Sequence, residues 1–137
     1  MERILFDDLD FDYSKSKYTL NAKPFSGIAF EVHKEGWVWC EGVYVDGYKN
    51  GLHMEYFSTG NLASESYYSF NVLHGTKREW FPNGNIKHEI FALFAVKIRE
   101  KTWNEKGELI QTYQIDRKSS NYDLMLRNGG YLPEENP

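Results

Sequence analysis

The chain has 137 residues, a net charge of −4 and a mean hydropathy of −0.64. This length suits one domain, the hydropathy argues against a membrane span, and the acidic balance disfavours nucleic acid while mildly favouring a basic protein partner. The single cysteine, Cys40, allows no internal disulfide, which is typical of a reducing compartment such as a cytoplasm. Aromatic residues reach 17% of the chain and favour β-strands.

An acidic lead-in occupies residues 1–26. It holds no apolar run, so we expect neither a signal peptide nor a basic presequence at the start of this chain. Tyr18 to Leu20 predict a short strand, and Asn21 to Pro24 predict a turn before Phe25. The repeated part of the sequence follows directly.

From Gly27 onward the sequence repeats with a period of 24 residues. Glycine and glutamate recur at fixed offsets, at Gly27, Gly51 and Gly75, at Gly36, Gly60 and Gly84, at Glu31, Glu55 and Glu79, and at Glu41, Glu65 and Glu89. A period of this length indicates one supersecondary unit stacked on copies of itself. We therefore divide the single domain 1–137 into a lead-in (1–26), three repeats (27–50, 51–74 and 75–98), a degenerate capping repeat (99–115) and a tail (116–137).

Each repeat predicts a β-hairpin. In the second repeat two sets of residues alternate along the chain, namely Leu52, Met54 and Tyr56 against His53, Glu55 and Phe57. A period of two indicates a strand with one set on each face. A glycine-containing tip such as S-T-G or P-N-G follows, where the backbone needs a positive φ, and a second strand rich in branched and aromatic residues comes after it.

The fourth unit and the tail predict how the array ends. Arg99 replaces the leading glycine, as expected of a degenerate terminal repeat whose outer edge is exposed to solvent. In the tail, Ser119 and its neighbours offer an N-cap for one or two helical turns over 122–127. We expect residues 131–137 to be frayed and the sheet edges near Phe25 and Tyr113 to be open to pairing.

The glutamate ladders are the most regular polar feature. A carboxylate repeated in every copy indicates either hydrogen bonds to turn amides of the neighbouring unit or an acidic stripe for a basic partner. The structural interpretation is favoured, because a stacking contact must recur in register while a binding surface rarely does.

Aromatic residues and valine form two columns, which we call the aromatic columns, with Val32, Tyr56 and Trp80 in the first strands and Val43, Tyr67 and Phe91 in the second. Packing is the favoured interpretation of both columns. Trp37 and Trp39 differ, since they have no aromatic counterparts in the other repeats. They are either interface anchors or side chains that fill a gap at the edge of the first unit.

The sequence shows no arrangement typical of an active site. The four histidines, His33, His53, His74 and His88, occupy four different repeat offsets and have no metal-ligand spacing. Cys40 falls where the sister repeats have Ser64 and His88, and no cofactor-binding or phosphate-binding motif is present. We therefore expect a protein without catalytic activity, metal or cofactor.

The repeat unit G-x-x-x-E-Y/W-F-x-x-G-x-L/I-x-x-E resembles the MORN repeat variant. Together with K-P-F-S-G-I at 23–28, H-G-T-K-R-E-W-F-P-N-G-N-I-K at 74–87 and N-Y-D-L-M-L in the tail, it resembles bacterial antitoxin or immunity proteins of the YwqK type. The resemblance covers about residues 18–127. It implies a cytoplasmic protein that binds and neutralises a cognate toxin, often a nuclease or deaminase. The run Trp37-Val38-Trp39-Cys40 departs from the polar run usual in this family and is the expected place of specificity.

These observations predict an all-β domain of tandem 24-residue hairpins in one elongated, twisted antiparallel sheet with a short C-terminal helix. The predicted function is toxin neutralisation by protein binding, and the alternative is a MORN-like scaffold or membrane-peripheral interaction module. The candidate partner-binding residues are Trp37, Trp39, Tyr44, Glu31, Glu41, Glu55 and Glu65. Acidic residues would steer a basic toxin and aromatic residues would anchor it.

Overall fold

The computed structural model describes residues 1–132, so the expected fraying of the tail lies, from position 133 onward, outside the described residues. The strands are β1 (Arg3–Leu5), β2 (Asp10–Asp12), β3 (Lys17–Leu20), β4 (Lys23–Pro24), β5 (Gly27–Val32), β6 (Val38–Val45), β7 (Tyr48–Tyr56), β8 (Leu62–Ser69), β9 (Val72–Trp80), β10 (Ile86–Leu93), β11 (Val96–Trp103) and β12 (Leu109–Gln114). A 3-10 helix covers Phe6–Asp8, and the helix α1 covers Ser120–Arg127.

Nine of these strands form one long sheet in the order β1-β5-β6-β7-β8-β9-β10-β11-β12 within the described residues. Every neighbouring pair from β5 to β12 is antiparallel and consecutive in sequence, and only β1 pairs in parallel, with β5. This arrangement confirms the prediction of tandem hairpins in one elongated sheet followed by a short helix.

The four hairpin tips have the same hydrogen bonds. In the first tip the Gly36 amide donates to the His33 carbonyl, and the His33 amide donates to the Trp37 carbonyl; the tips at 57–61, 81–85 and 104–108 repeat both bonds. Each tip carries one glycine with φ between 86° and 99°. Behind each tip the strand register shifts by one residue, which leaves one extra residue in each second strand. The worn fourth unit therefore keeps the same tip geometry.

The turns at the other end of the sheet hold consecutive units together. Each is a two-residue turn with positive φ at both positions, as in Asp46-Gly47, Phe70-Asn71 and Phe94-Ala95. The first amide of each turn donates to a side chain of the preceding unit, namely Ser26 Oγ, Asn50 Oδ1 and His74 Nδ1. These acceptors lie 24 residues apart, so the stacking contact repeats with the sequence.

The lead-in folds into a cap over the start of the sheet. β2, β3 and β4 form a separate three-stranded sheet. β3 confirms the short strand expected at Tyr18 to Leu20, whereas the expected turn is shorter than predicted because Lys23–Pro24 already belongs to β4. Phe25, Ala29 and Tyr44 form a buried cluster against this cap. The expectation of an open edge near Phe25 is wrong, because β1 pairs with β5 along Ile28 to Phe30. No repeat extends into the lead-in, so periodicity could not predict that strand.

The helix α1 closes the other end. Ser119 is its N-cap and accepts a hydrogen bond at Oγ from the Tyr122 amide, 3.2 Å away. Met125 is fully buried in a second cluster with Ile98 of β11 and Ile115. A capped helix on the last hairpin thus covers apolar surface that would otherwise face water.

Between the two caps the sheet is a single layer. The aromatic columns do not form its core, since Val32 is 44% and Tyr67 40% exposed, and the buried clusters lie at the two ends instead. A two-stranded unit is too narrow to hide both faces, so the middle of the sheet presents two partly solvated faces. Any surface for a partner has to be sought there.

Candidate partner-binding trough

One row of side chains crosses the middle of the sheet on a single face. Strand pairing places its members side by side, in the order Glu31, Cys40, Glu55, Ser64, Glu79 and His88. The glutamates come from the first strand of each hairpin, and the smaller polar residues come from the second. Consecutive glutamates are two strands apart, which corresponds to roughly 10 Å.

This row forms part of the floor of a trough of about 490 Å³. Phe6 and Tyr18 of the lead-in lie at one end of the trough, and Trp39 and Phe57 also line it. A volume of this size falls in the range of binding clefts. Its lining mixes carboxylates with lysines, so it suits a polar or charged partner more than an apolar one.

The carboxylate of Glu31 is held by its neighbour in the row. Cys40 Sγ donates to Glu31 Oε2 at 3.0 Å. Burial, followed by this hydrogen bond to the carboxylate, raises the pKa of the Cys40 thiol to about 12. The thiol stays protonated at neutral pH, and a nucleophilic cysteine needs the opposite shift.

The other two glutamates of the row differ in their partners. Glu79 Oε1 lies 3.5 Å from Lys77 Nζ and 4.0 Å from His88 Nδ1. Glu55 has no hydrogen bond or ion pair to its side chain within residues 1–132, and it is exposed. Glu55 is therefore the carboxylate in this row that is most available to an outside cation.

His53 lies beside this row and is electrically neutral. Its Nε2 donates to the Val43 carbonyl at 3.3 Å when the proton sits on that nitrogen. Burial, and next the charge of Lys49, lower the pKa of His53 to about 4. At neutral pH the trough floor therefore gains no positive charge from this histidine.

The second glutamate ladder, Glu41, Glu65 and Glu89, lies on the opposite face of the sheet. Arg78 bridges two of its members, with Nε 2.9 Å from Glu89 Oε2 and Nη1 3.2 Å from Glu65 Oε1. Arg3 lies 3.4 Å from Glu41 Oε2, and Tyr56 donates its hydroxyl to the same carboxylate. This ladder is satisfied from within the chain.

The two tryptophans of the first hairpin lie on different surfaces. Trp39 is 37% exposed and lines the trough. Trp37 stacks on His33, with ring centroids 4.6 Å apart, and lines a second cavity of about 350 Å³ together with Arg3 and Tyr56. Its buried Nε1 has no hydrogen-bond partner in the described part of the chain.

The candidate residues therefore do not form one site. Five line the trough, namely Glu31, Trp39, Glu41, Tyr44 and Glu55. The carboxylate of Glu41 is nevertheless paired with Arg3 in the satisfied ladder, which also holds Glu65, and Trp37 belongs to the second cavity. Lys77 and His53 also line the trough. The sequence pattern did not indicate them, because neither residue recurs at the same offset in the other repeats.

Other kinds of site find no support in residues 1–132. No group of three or more histidine, cysteine, aspartate or glutamate side chains is placed to hold a metal ion there. No helix in that range is long and apolar enough to cross a membrane.

The MORN repeat variant matches the chain at residues 49–69 and 73–91. These two segments correspond to the hairpins β7–β8 and β9–β10, which form the centre of the sheet. No curated protein matches the chain. These two segments thus carry the MORN repeat variant, which the repeat unit of the sequence resembles.

Proposed function

We propose that this protein is a non-catalytic inhibitor that binds a bacterial toxin through the trough and neutralises it in the cytoplasm. The role of the partner comes from the sequence resemblance to immunity proteins, and the chemistry of the contact comes from the trough. The observation that carries the proposal is Glu55, an exposed carboxylate without a partner within residues 1–132, in line with the carboxylate of Glu31.

The trough favours a partner surface rich in lysine or arginine. Glu31 and Glu55, two strands and roughly 10 Å apart in the row, attract cations that are similarly spaced. Trp39 lines the same trough and is 37% exposed, so it can bury its ring against the partner while the carboxylates orient it.

Growth rescue and affinity together test the proposal. The chain is co-expressed with the C-terminal domain of whichever protein the gene immediately upstream encodes, and the purified pair is titrated by calorimetry. Glu31→Gln with Glu55→Gln should weaken binding at least about tenfold, which is about 1.4 kcal/mol. Glu105→Gln, in the exposed tip of the fourth hairpin, is the matched control and should leave the affinity unchanged.

The tryptophans distinguish the two faces in the same assay. Trp39→Ala should reduce affinity, whereas Trp37→Ala should not, because Trp37 lines the other cavity. The reverse result would place the partner on the opposite face and remove the trough from the mechanism. Failure of the upstream domain to bind, or of the chain to rescue growth, would contradict the toxin role itself.

A MORN-like scaffold is the second candidate, because the repeat match at 49–69 and 73–91 is independent of any toxin. In the membrane-peripheral form of that role the protein would sediment with vesicles that contain anionic lipid. Against this, Glu31 and Glu55 would repel such a surface. We therefore expect the protein to stay in the supernatant, and co-sedimentation would favour the scaffold.

A further inference from the structure

The outer edge of β12 has no paired strand within residues 1–132. β12 spans Leu109–Gln114 and pairs only with β11 on its inner side. At the opposite end of the same sheet, β1 pairs with β5 and covers part of that edge. The two ends of the sheet thus differ, since the edge strand at one end, β1, has three residues and the edge strand at the other end, β12, has six.

The composition of β12 is unusual for an open edge. Natural sheets protect such edges with lysine, proline or very short strands, because free backbone groups there recruit further strands. The six residues L-I-Q-T-Y-Q contain no charge and no proline. Leu109 is 51%, Ile110 61% and Tyr113 38% exposed. The edge therefore offers both free backbone groups and apolar side chains.

We infer that β12 pairs antiparallel with β12 of a second copy of this chain, which joins two sheets edge to edge across a two-fold axis. The topology favours this occupant. At the other end of the sheet the edge strand β1 has only three residues, so it offers β12 of the next copy a much shorter edge than a second β12 does, and head-to-tail growth is disfavoured. When two β12 edges pair with each other, neither copy keeps a free β12 edge, so the assembly stops at two copies.

The charge of the strand favours the same arrangement. Each copy carries a net charge of −4, and like-charged chains repel unless the contact itself is neutral. β12 supplies a neutral contact. A two-fold axis at Thr112 places Thr112 opposite Thr112 of the second copy and Gln111 opposite its Tyr113, and a Thr–Thr pair is a favourable cross-strand pair.

The size of the contact sets its strength. Six residues on each strand bury less than the roughly 1,200 Å² at the lower end of standard stable interfaces. We therefore expect a reversible dimer that is populated at micromolar rather than nanomolar concentration. This inference does not depend on the proposed toxin partner, since β12 and the trough are separate surfaces.

Sedimentation velocity of the full chain over a wide concentration range tests the inference. The wild-type protein should pass from monomer to dimer, and Ile110→Lys should raise the dissociation constant at least about tenfold, because two lysines then enter the contact. Thr112→Lys, another exposed position in β12, provides a second variant. Phe70→Lys is the matched control, since Phe70 is 60% exposed but lies in a distant turn, and it should dimerise like the wild type.

Two results would overturn the dimer. One is a wild-type chain that remains monomeric into the high micromolar range. The other is a dimer whose dissociation constant responds to neither Ile110→Lys nor Thr112→Lys, which would place the contact on another surface. Circular dichroism of each variant establishes that the fold is intact before its association is compared.

Discussion

The imidazole ring of His53 lies directly over the backbone of Gly42, in the space that a side chain at position 42 would occupy. The two residues face each other across β6 and β7. A Cβ at position 42 would overlap the Cε1, Nδ1 and Nε2 atoms of the ring. The other repeats have Ser66 and Ile90 at the position of Gly42. The His53 ring, and not the repeat geometry, therefore requires a glycine at position 42.

This contact predicts that Gly42→Ala destabilises the protein by about 2 to 3 kcal/mol, because the half-buried ring must move to make room. Urea unfolding measures the change. In a His53→Ala background the same substitution should cost much less, since the obstructing ring is gone. Equal costs in the two backgrounds would show that strain elsewhere, and not the His53 ring, makes alanine unfavourable.

His53 also predicts how stability depends on pH. Its pKa is about 4 in the folded chain against an ordinary value of 6.5, so between these pH values the unfolded chain binds a proton that the folded chain does not. The free energy of unfolding should therefore fall as pH drops from about 6.5 to 4. We expect a loss on the order of 2 kcal/mol, reduced from the full linkage value because the ring is partly solvated.

The measurement compares urea unfolding of wild type and His53→Gln at several pH values. The variant should show a flatter dependence between pH 6.5 and 4. Glu100, whose pKa is lowered first by its hydrogen bond from Lys97, adds a loss at lower pH in both proteins. Titration of the His53 ring by NMR with a midpoint near 6.5 would contradict the prediction.

The repeat period allowed much of this fold to be predicted. A hairpin tip needs a positive φ at one position, and the glycines at 36, 60 and 84 mark that position in the sequence. The alternation in the second repeat also placed His53 and Glu55 correctly on one face. Features that depend on local backbone geometry could thus be predicted from the sequence, because every repeat is under the same constraint.

Two features of the structure could not be predicted from the sequence, and each has a physical reason. The lead-in has no repeat, so nothing in its pattern predicted the parallel pairing of β1 with β5 or the packing of Phe6 on Tyr18. The seven candidate residues were divided between two faces by strand pairing and by the register shifts behind the hairpin tips. A shift of one residue reverses the side of the sheet, and the sequence pattern does not mark such a shift strongly.

Arg78 should contribute to stability through the two carboxylates that it joins. The hydrogen bonds that Arg78 donates to Glu89 and then to Glu65 raise the pKa of its guanidinium. Without Arg78 the two carboxylates, two strands apart, would repel each other with no cation between them. Arg78→Ala is expected to cost about 1 to 2 kcal/mol. Lys101→Ala, at an exposed position of β11, should stay within about 0.5 kcal/mol.

Salt distinguishes this network from simple packing of the Arg78 side chain. The cost of Arg78→Ala should shrink in high salt, because the partly exposed ion pairs are screened. Arg78→Met keeps most of the aliphatic contact and should lose nearly as much stability as alanine at low salt. If methionine instead restored wild-type stability, the charge would have no net role.

The turn at Phe94-Ala95 should be open to stabilisation. Ala95 has a φ of 63°, which costs an L-residue roughly 1 kcal/mol or more, and its side chain is exposed. Ala95→Gly removes this strain and keeps the hydrogen bond that the amide at position 95 donates to the Leu73 carbonyl, so we expect a gain of about 0.5 to 1 kcal/mol in urea unfolding. Ala63→Gly, within β8, is the control and should destabilise. A loss at position 95 would mean that the added freedom of the unfolded glycine outweighs the relief of strain.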